Sequence, residues 1–112
     1  IMKKKLNKFS SIINIRFKDN SLLKKSLTHK SFDKINNNEI LEFLGDRVLG
    51  LIISKYLMSK FPDDKEGVLD KKFANLVNKK TCGKVGKKLN LKNFMFLGDS
   101  YKKADKSDEK II

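Results

Sequence analysis

The stretch from Glu39 to Lys60 contains no proline and carries Leu41, Leu44, Val48, Leu49, Ile52, Ile53, Tyr56 and Leu57. Wound at 3.6 residues per turn, these side chains cover several faces of one long helix instead of a single stripe. A helix that is apolar nearly all round belongs at the centre of a bundle or at an interface. The polar run Asn36-Asn37-Asn38 breaks the pattern before it and caps it, and Pro62 stops it after Lys60.

This same segment opens with carboxylates. Glu39, Glu42 and Asp46 are spaced i, i+3, i+7, which puts all three within about 60° of one helix face. Like charges crowded on one face destabilise a helix unless something positive sits among them. A divalent cation is the natural candidate, because Mg²⁺ takes hard oxygen ligands from a few carboxylates and completes its shell with water and phosphate oxygens. A carboxylate in a first turn also suits the helix dipole. That plainer reading fits Glu39 at the helix start and fits Asp46, two turns in among apolar neighbours, poorly.

Charge supplies the other half of the argument. Lys and Arg total 26 against 13 Asp and Glu, a formal net charge of +13. Such a balance suits a polyanion binder. An acidic face would repel a phosphate backbone, so the two features are compatible chiefly if metal ions bridge carboxylates and phosphate, the electrostatic layout of a metal-dependent nuclease. A Lys-rich solvated surface would explain the basic residues, all Lys except Arg16 and Arg47, but not the carboxylates.

The remaining pattern is helical, with no convincing strand alternation, and the expected class is all-α. A first amphipathic helix is expected from about Lys3 to Ile13, with Leu6, Phe9, Ile12 and Ile13 on one stripe. Asp19-Asn20-Ser21 offers N-caps for a second, carrying Leu22, Leu23 and Leu27. Later helices hold Val68, Leu69, Phe73, Leu76 and Val77, then Val85 and Leu89 before a turn at Asn90; Lys102 to Lys110 is polar enough for a mobile loop. At 112 residues the chain is one domain. Its longest apolar runs are too short to span a bilayer, and Lys3-Lys4-Lys5 is not followed by a signal-peptide core, so no membrane partner and a cytoplasmic location are expected. The lone Cys82 makes neither an internal disulfide nor a zinc site, and reads as a small apolar residue.

The run Asn38-Glu39-x-Leu41-Glu42-Phe43-Leu44-Gly45-Asp46-x-Val48-Leu49 closely resembles the signature helix of the bacterial-type ribonuclease III family, endonucleases of double-stranded RNA. Further segments agree in order and spacing. Leu27-Thr28-His29-Lys30-Ser31 is similar to an upstream family element, Phe61-Pro62-x-x-x-Glu66-Gly67 to the next turn, Leu69 through Leu76-Val77 to the helix after it, and Leu97-Gly98 to the start of the closing segment.

The resemblance implies the family's endonuclease-domain fold, all-α and truncated at its C-terminal end. A second acidic pair, Asp and Glu three residues apart, is expected just beyond Ile112. Residues 1–112 are therefore expected to be a partial catalytic domain without a double-stranded RNA-binding domain, inactive by itself; Ile1 ahead of Met2 fits a fragment. It also implies metal-dependent hydrolysis of double-stranded RNA to 5′-phosphate and 3′-hydroxyl ends in rRNA or mRNA processing. The cofactor is Mg²⁺, with Mn²⁺ possible in its place, and the state is a homodimer paired through the signature helix. Glu42 and Asp46 are the expected metal ligands and catalytic carboxylates, with Glu39 and Glu66 as supporting acidic residues. His29 is expected to make a structural hydrogen bond, because the chemistry uses metal-activated water, and Asp99 to be a turn or cap residue. The alternative is a catalytically silent relative that binds structured RNA as a ribosomal or assembly component. Intact Glu39, Glu42, Asp46 and Glu66 argue against it.

Overall fold

The computed structural model of the protein describes residues 2–103, and these are helical with no strand. Helix α1 (Met2–Ile13) is followed by α2 (Asn20–Ser26), the long α3 (Glu39–Lys60), α4 (Glu66–Leu76), α5 (Lys79–Lys88), a 3-10 turn (Leu91–Phe94) and the short α6 (Asp99–Lys103). The all-α expectation and the bounds of α1 and α3 agree with this. The Asp19 carboxylate caps α2 by accepting from the backbone N–H of Ser21 at 3.0 Å and Leu22 at 3.3 Å. Asn90 turns the chain in the left-handed region at φ 58°, which asparagine tolerates better than most residues.

The core does not lie where the apolar helix pointed. It is built from Leu6 and Phe9 of α1, Leu23 and Leu27 at α2, and the consecutive Phe94, Met95, Phe96 and Leu97, all buried. Phe9 and Phe94 stack with ring centroids 5.3 Å apart. The chain leaving the 3-10 turn is tied in by its backbone: Phe96 N–H donates to the Leu27 carbonyl at 2.8 Å, and His29 N–H donates to the Phe96 carbonyl at 3.0 Å. Of the stripe expected on α1, Ile12 is exposed while Ile13 packs against this cluster. Leu22 and Val85 are likewise exposed.

Helix α3, by contrast, buries only Leu57. Ile40 is 76% exposed, Phe43 61% and Leu51 72%, so within the described residues α3 is not central. Its partners are few. The mid-helix Gly50 faces Phe73 of α4, whose ring a Cβ there would meet at 3.5 Å. At the α3–α4 turn, Lys72 pairs with Asp64 and lies over the Phe61 ring. The radius of gyration, 16.0 Å, exceeds the roughly 13 Å of a compact chain of this length. Of the two expected placements, central or interfacial, the central one is not met among the described residues, where the apolar helix stays exposed.

The N-terminus of α3 is held to the core by one loop. Asn38 N–H donates to the Thr28 carbonyl at 3.0 Å. The capping side chain is Asn37, buried, which accepts from Glu39 N–H at 3.1 Å and donates to the carbonyls of Asp33 and Lys34; the Asn38 side chain makes no cap bond. Lys102 and Lys103, expected in a loop, belong to α6, and the rest of that expected loop, 104–110, lies outside the described residues. Asp99 opens α6 as its first residue, where a carboxylate suits the helix dipole.

Candidate active-site cleft

Because Asn37 and Asn38 fasten the start of α3 to the core, the first two turns of that helix project their polar face along one side of a cleft. The cleft has a volume of about 780 Å³. Glu39, Glu42, Asp46 and Arg47 line it from α3; Asn78, Lys79, Cys82 and Gly83 line it from the start of α5. The structure thus brings three of the four expected acidic residues together. Glu66 is elsewhere, exposed in the first turn of α4, where a carboxylate complements the helix dipole.

Sharing a face is not converging on a point. Among the described residues, no three His, Cys, Asp or Glu side chains stand close enough to hold a metal ion. Of the three carboxylates on α3, the expectation named two, Glu42 and Asp46, as ligands, with further ligands beyond Ile112. The physical reason that the three do not converge is translation: residues 39 and 46 agree in angle but stand about 10.5 Å apart along the helix axis. Glu42 and Asp46, one turn apart, are the better-placed pair.

Both are exposed, and neither carboxylate accepts a hydrogen bond from a described residue. The nearest cation to Asp46 is Arg47, at 4.0 Å and well solvated, a contact worth little. Arg47 is committed instead to Phe43, donating to its carbonyl at 3.0 Å and stacking on its ring at 3.8 Å. Glu42 and Asp46 therefore keep their oxygen lone pairs for a ligand. Two unengaged hard-oxygen donors suit Mg²⁺, which is commonly bound through one or two carboxylates with water and phosphate filling the rest.

The α5 wall is the part of the site that sequence reasoning missed. Asn78 caps α5, accepting from Thr81 N–H at 2.8 Å, and this Asn ahead of a lysine-rich helix was a readable start signal. Nothing local, however, says that this start faces α3. Cys82 is half-buried, as a small apolar residue would be.

His29 plays the structural part expected of it. Its Nδ1 accepts from Ser31 N–H at 3.1 Å and lies 2.8 Å from Ser31 Oγ, which itself accepts from Gly98 N–H at 2.9 Å. A Cβ at Gly98 would meet the Ser31 carbonyl oxygen at 2.6 Å, so only glycine permits this approach. Two separated sequence elements, Thr28–Ser31 and Leu97-Gly98, are thereby one junction. Burial, then Lys30, holds the imidazole below its ordinary pKa, against the opposing pull of Glu39 and Glu42. The folded chain consequently binds fewer protons here than the unfolded one below about pH 6.5. Stability from this group is present above that pH and is lost as pH falls through the lowered folded value. Thermal midpoints between pH 7 and 5 should show a decline that is smaller in His29→Asn, whose amide oxygen can still accept from Ser31; an identical decline would show that His29 does not set it.

The family model described as Ribonuclease-III-like matches residues 19–112. The chain belongs to the ribonuclease III family. Ribonuclease 3 of Pelagibacter ubique is 52% identical over 105 residues, covering 94% of this chain and 47% of the relative; Ribonuclease 3 of Campylobacter jejuni is 49% identical over 94 residues, covering 84% and 42%. The chain spans about half the length of the curated relatives it matches. Among solved structures, the nuclease domain of ribonuclease III from Campylobacter jejuni superposes with a TM-score of 0.81 at 46% identity, covering 85% of this chain and 66% of that one. That structure is described for flexibility in the region involved in its dimer formation. A second structure of the same domain gives 0.80 at 46% identity, covering 86% and 65%. The fold is that of the family's nuclease domain, and the family is one of endoribonucleases. Among the described residues, no helix is long and apolar enough to cross a membrane.

Proposed function

We propose that the protein is a metal-dependent endoribonuclease that hydrolyses double-stranded RNA to 5′-phosphate and 3′-hydroxyl ends, in rRNA or mRNA processing in the cytoplasm. The observation that carries this is the pair of unengaged carboxylates, Glu42 and Asp46, in a cleft of a family nuclease domain. These two residues would hold Mg²⁺ or Mn²⁺. An ion held by them would supply a water of lowered pKa and charge to offset that on the leaving oxygen.

The chain's own cations set how RNA is received. Lys79 and Arg47 share the cleft with the carboxylates and moderate the repulsion that Glu39, Glu42 and Asp46 present to phosphate. The surrounding +13 surface draws in the backbone without reading bases. A-form RNA hides its major groove, so recognition rests on shape, phosphates and 2′-hydroxyls. The exposed apolar face of α3 is the surface through which we propose that two copies pair, each cutting one strand.

A perfect RNA duplex incubated with the full-length protein tests this. Cleavage that requires Mg²⁺ or Mn²⁺, stops with chelator and leaves 5′-phosphate ends is expected. Metal-independent cleavage with 2′,3′-cyclic phosphate ends would overturn the chemistry, and a sedimentation mass of one chain would remove the pairing.

A further inference from the structure

Asn37 is a buried polar side chain, 6% exposed, in a loop where its neighbours Lys34, Ile35 and Asn36 are exposed. Its amide is fully used. The Nδ2 donates to the carbonyls of Asp33 and Lys34, each at 3.1 Å, while Oδ1 accepts from Glu39 N–H at 3.1 Å. Capping a helix needs only the acceptor, which Ser or Asp would supply as well. The two donated bonds do something else: they tie the first residue of α3 to the turn ahead of it. That turn is itself closed, because the Asp33 carboxylate accepts from the backbone N–H of Ile35 and of Asn36, each at 2.9 Å.

A backbone link runs beside it. Asn38 N–H donates to the carbonyl of Thr28, a residue only 3% exposed, and the Asn38 carbonyl accepts from Glu42 N–H at 2.7 Å. The main chain of Glu42 is thus two hydrogen bonds from the core. Packing within the described residues locates it far less: from Glu42 to Leu49 every residue is exposed, and the buried residue of α3 is Leu57, near its far end. The hydrogen-bonded start therefore sets the register of this half of the helix. A slip of one residue would turn every side chain by 100°, taking Glu42 and Asp46 off the cleft wall.

We propose that Asn37 is a positioning residue for the metal-binding carboxylates, holding Glu42 and Asp46 to the cleft through its bonds to the Asp33 and Lys34 carbonyls. This rests on the proposed function and adds which residue sets the geometry of that site. The role calls for a short amide, which offers two donors and an acceptor together.

The test is Mn²⁺ uptake by the full-length protein without RNA, read from the loss of the free-ion electron paramagnetic resonance signal. Unsubstituted protein, Asn37→Ala and Asn37→Ser are compared at a temperature where circular dichroism shows each to be folded. Serine keeps an acceptor for Glu39 N–H and loses the paired donors, so it separates positioning from capping. Both variants should bind Mn²⁺ about tenfold more weakly, the lower end of what groups that orient metal ligands contribute. The Mg²⁺ needed for half-maximal single-turnover cleavage should rise by the same factor, while duplex affinity without divalent ions stays within about twofold, since that affinity rests on phosphate contacts. A role in folding alone would lower the thermal midpoint and leave the Mn²⁺ affinity of the folded molecules unchanged. An Asn37→Ser protein that takes up Mn²⁺ as the unsubstituted one does would reduce Asn37 to a helix cap and overturn the proposal, and this variant decides the matter if Asn37→Ala does not fold. An unsubstituted protein that takes up no Mn²⁺ would remove the metal site of the proposed function and this role together.

Discussion

In the full-length protein, Asp46→Asn is expected to lower cleavage of a duplex RNA on the order of 10²–10³-fold or more, the cost of losing one preorganised electrostatic partner of the reacting phosphate. Duplex affinity should stay the same or tighten slightly. The side chain is exposed, accepts no hydrogen bond from a described residue, and has Arg47 at 4.0 Å as its one ion-pair partner among the described residues, so its charge can be removed without disturbing packing. Asparagine keeps the shape and one oxygen, and loses the anion that under the proposed function would hold a hard cation. Under the proposed function, binding would rest on lysines elsewhere and gain from less repulsion. Glu42→Gln should behave alike. Glu66→Gln should cost far less, because Glu66 begins α4 and does not line the cleft. Single-turnover rates and a filter-binding isotherm on the same duplex measure both halves. Turnover within threefold of the unsubstituted enzyme would take Asp46 out of the mechanism.

What the sequence made legible was local. Asp19 as a cap, Asn90 as a turn, Pro62 as a stop and the bounds of α3 all follow from backbone chemistry within a few residues. His29 as a hydrogen-bonding residue followed from the family resemblance instead, and its Ser31 partner links to Gly98 across 67 residues of sequence. The angular placement of the carboxylates on one face of α3 was legible too. Composition said that α3 needs cover, but composition does not name what covers it. The four-residue apolar run Phe94–Leu97 could not be told from a turn by periodicity, since so short a run fits strand, helix or loop. That α5 walls the cleft is a long-range fact with no local trace.

That short run carries the second large effect. Phe96→Ala is expected to destabilise the protein by about 3–5 kcal/mol, the usual cost of emptying a buried aromatic site, from a total of only about 5–15 kcal/mol. The ring is 7% exposed. It lies 5.7 Å from the Phe32 ring, with Lys5 Nζ 4.6 Å and Lys24 Nζ 5.7 Å from its centroid, so its removal loosens α1, α2 and the 29–38 loop at once. The backbone bonds to Leu27 and His29 survive the change, which confines the loss to packing. Because the same loop fastens Asn37, Asn38 and the start of α3, cleavage should fail at a lower temperature in step with unfolding, while turnover well below the midpoint stays near normal. Ile35→Ala is the control: at 87% exposed it should shift stability by no more than about 0.5 kcal/mol. Denaturant midpoints of the two variants decide it. A Phe96→Ala loss below about 1 kcal/mol would mean that the 94–97 segment is not the centre of the core, and that the site is held by something other than this junction.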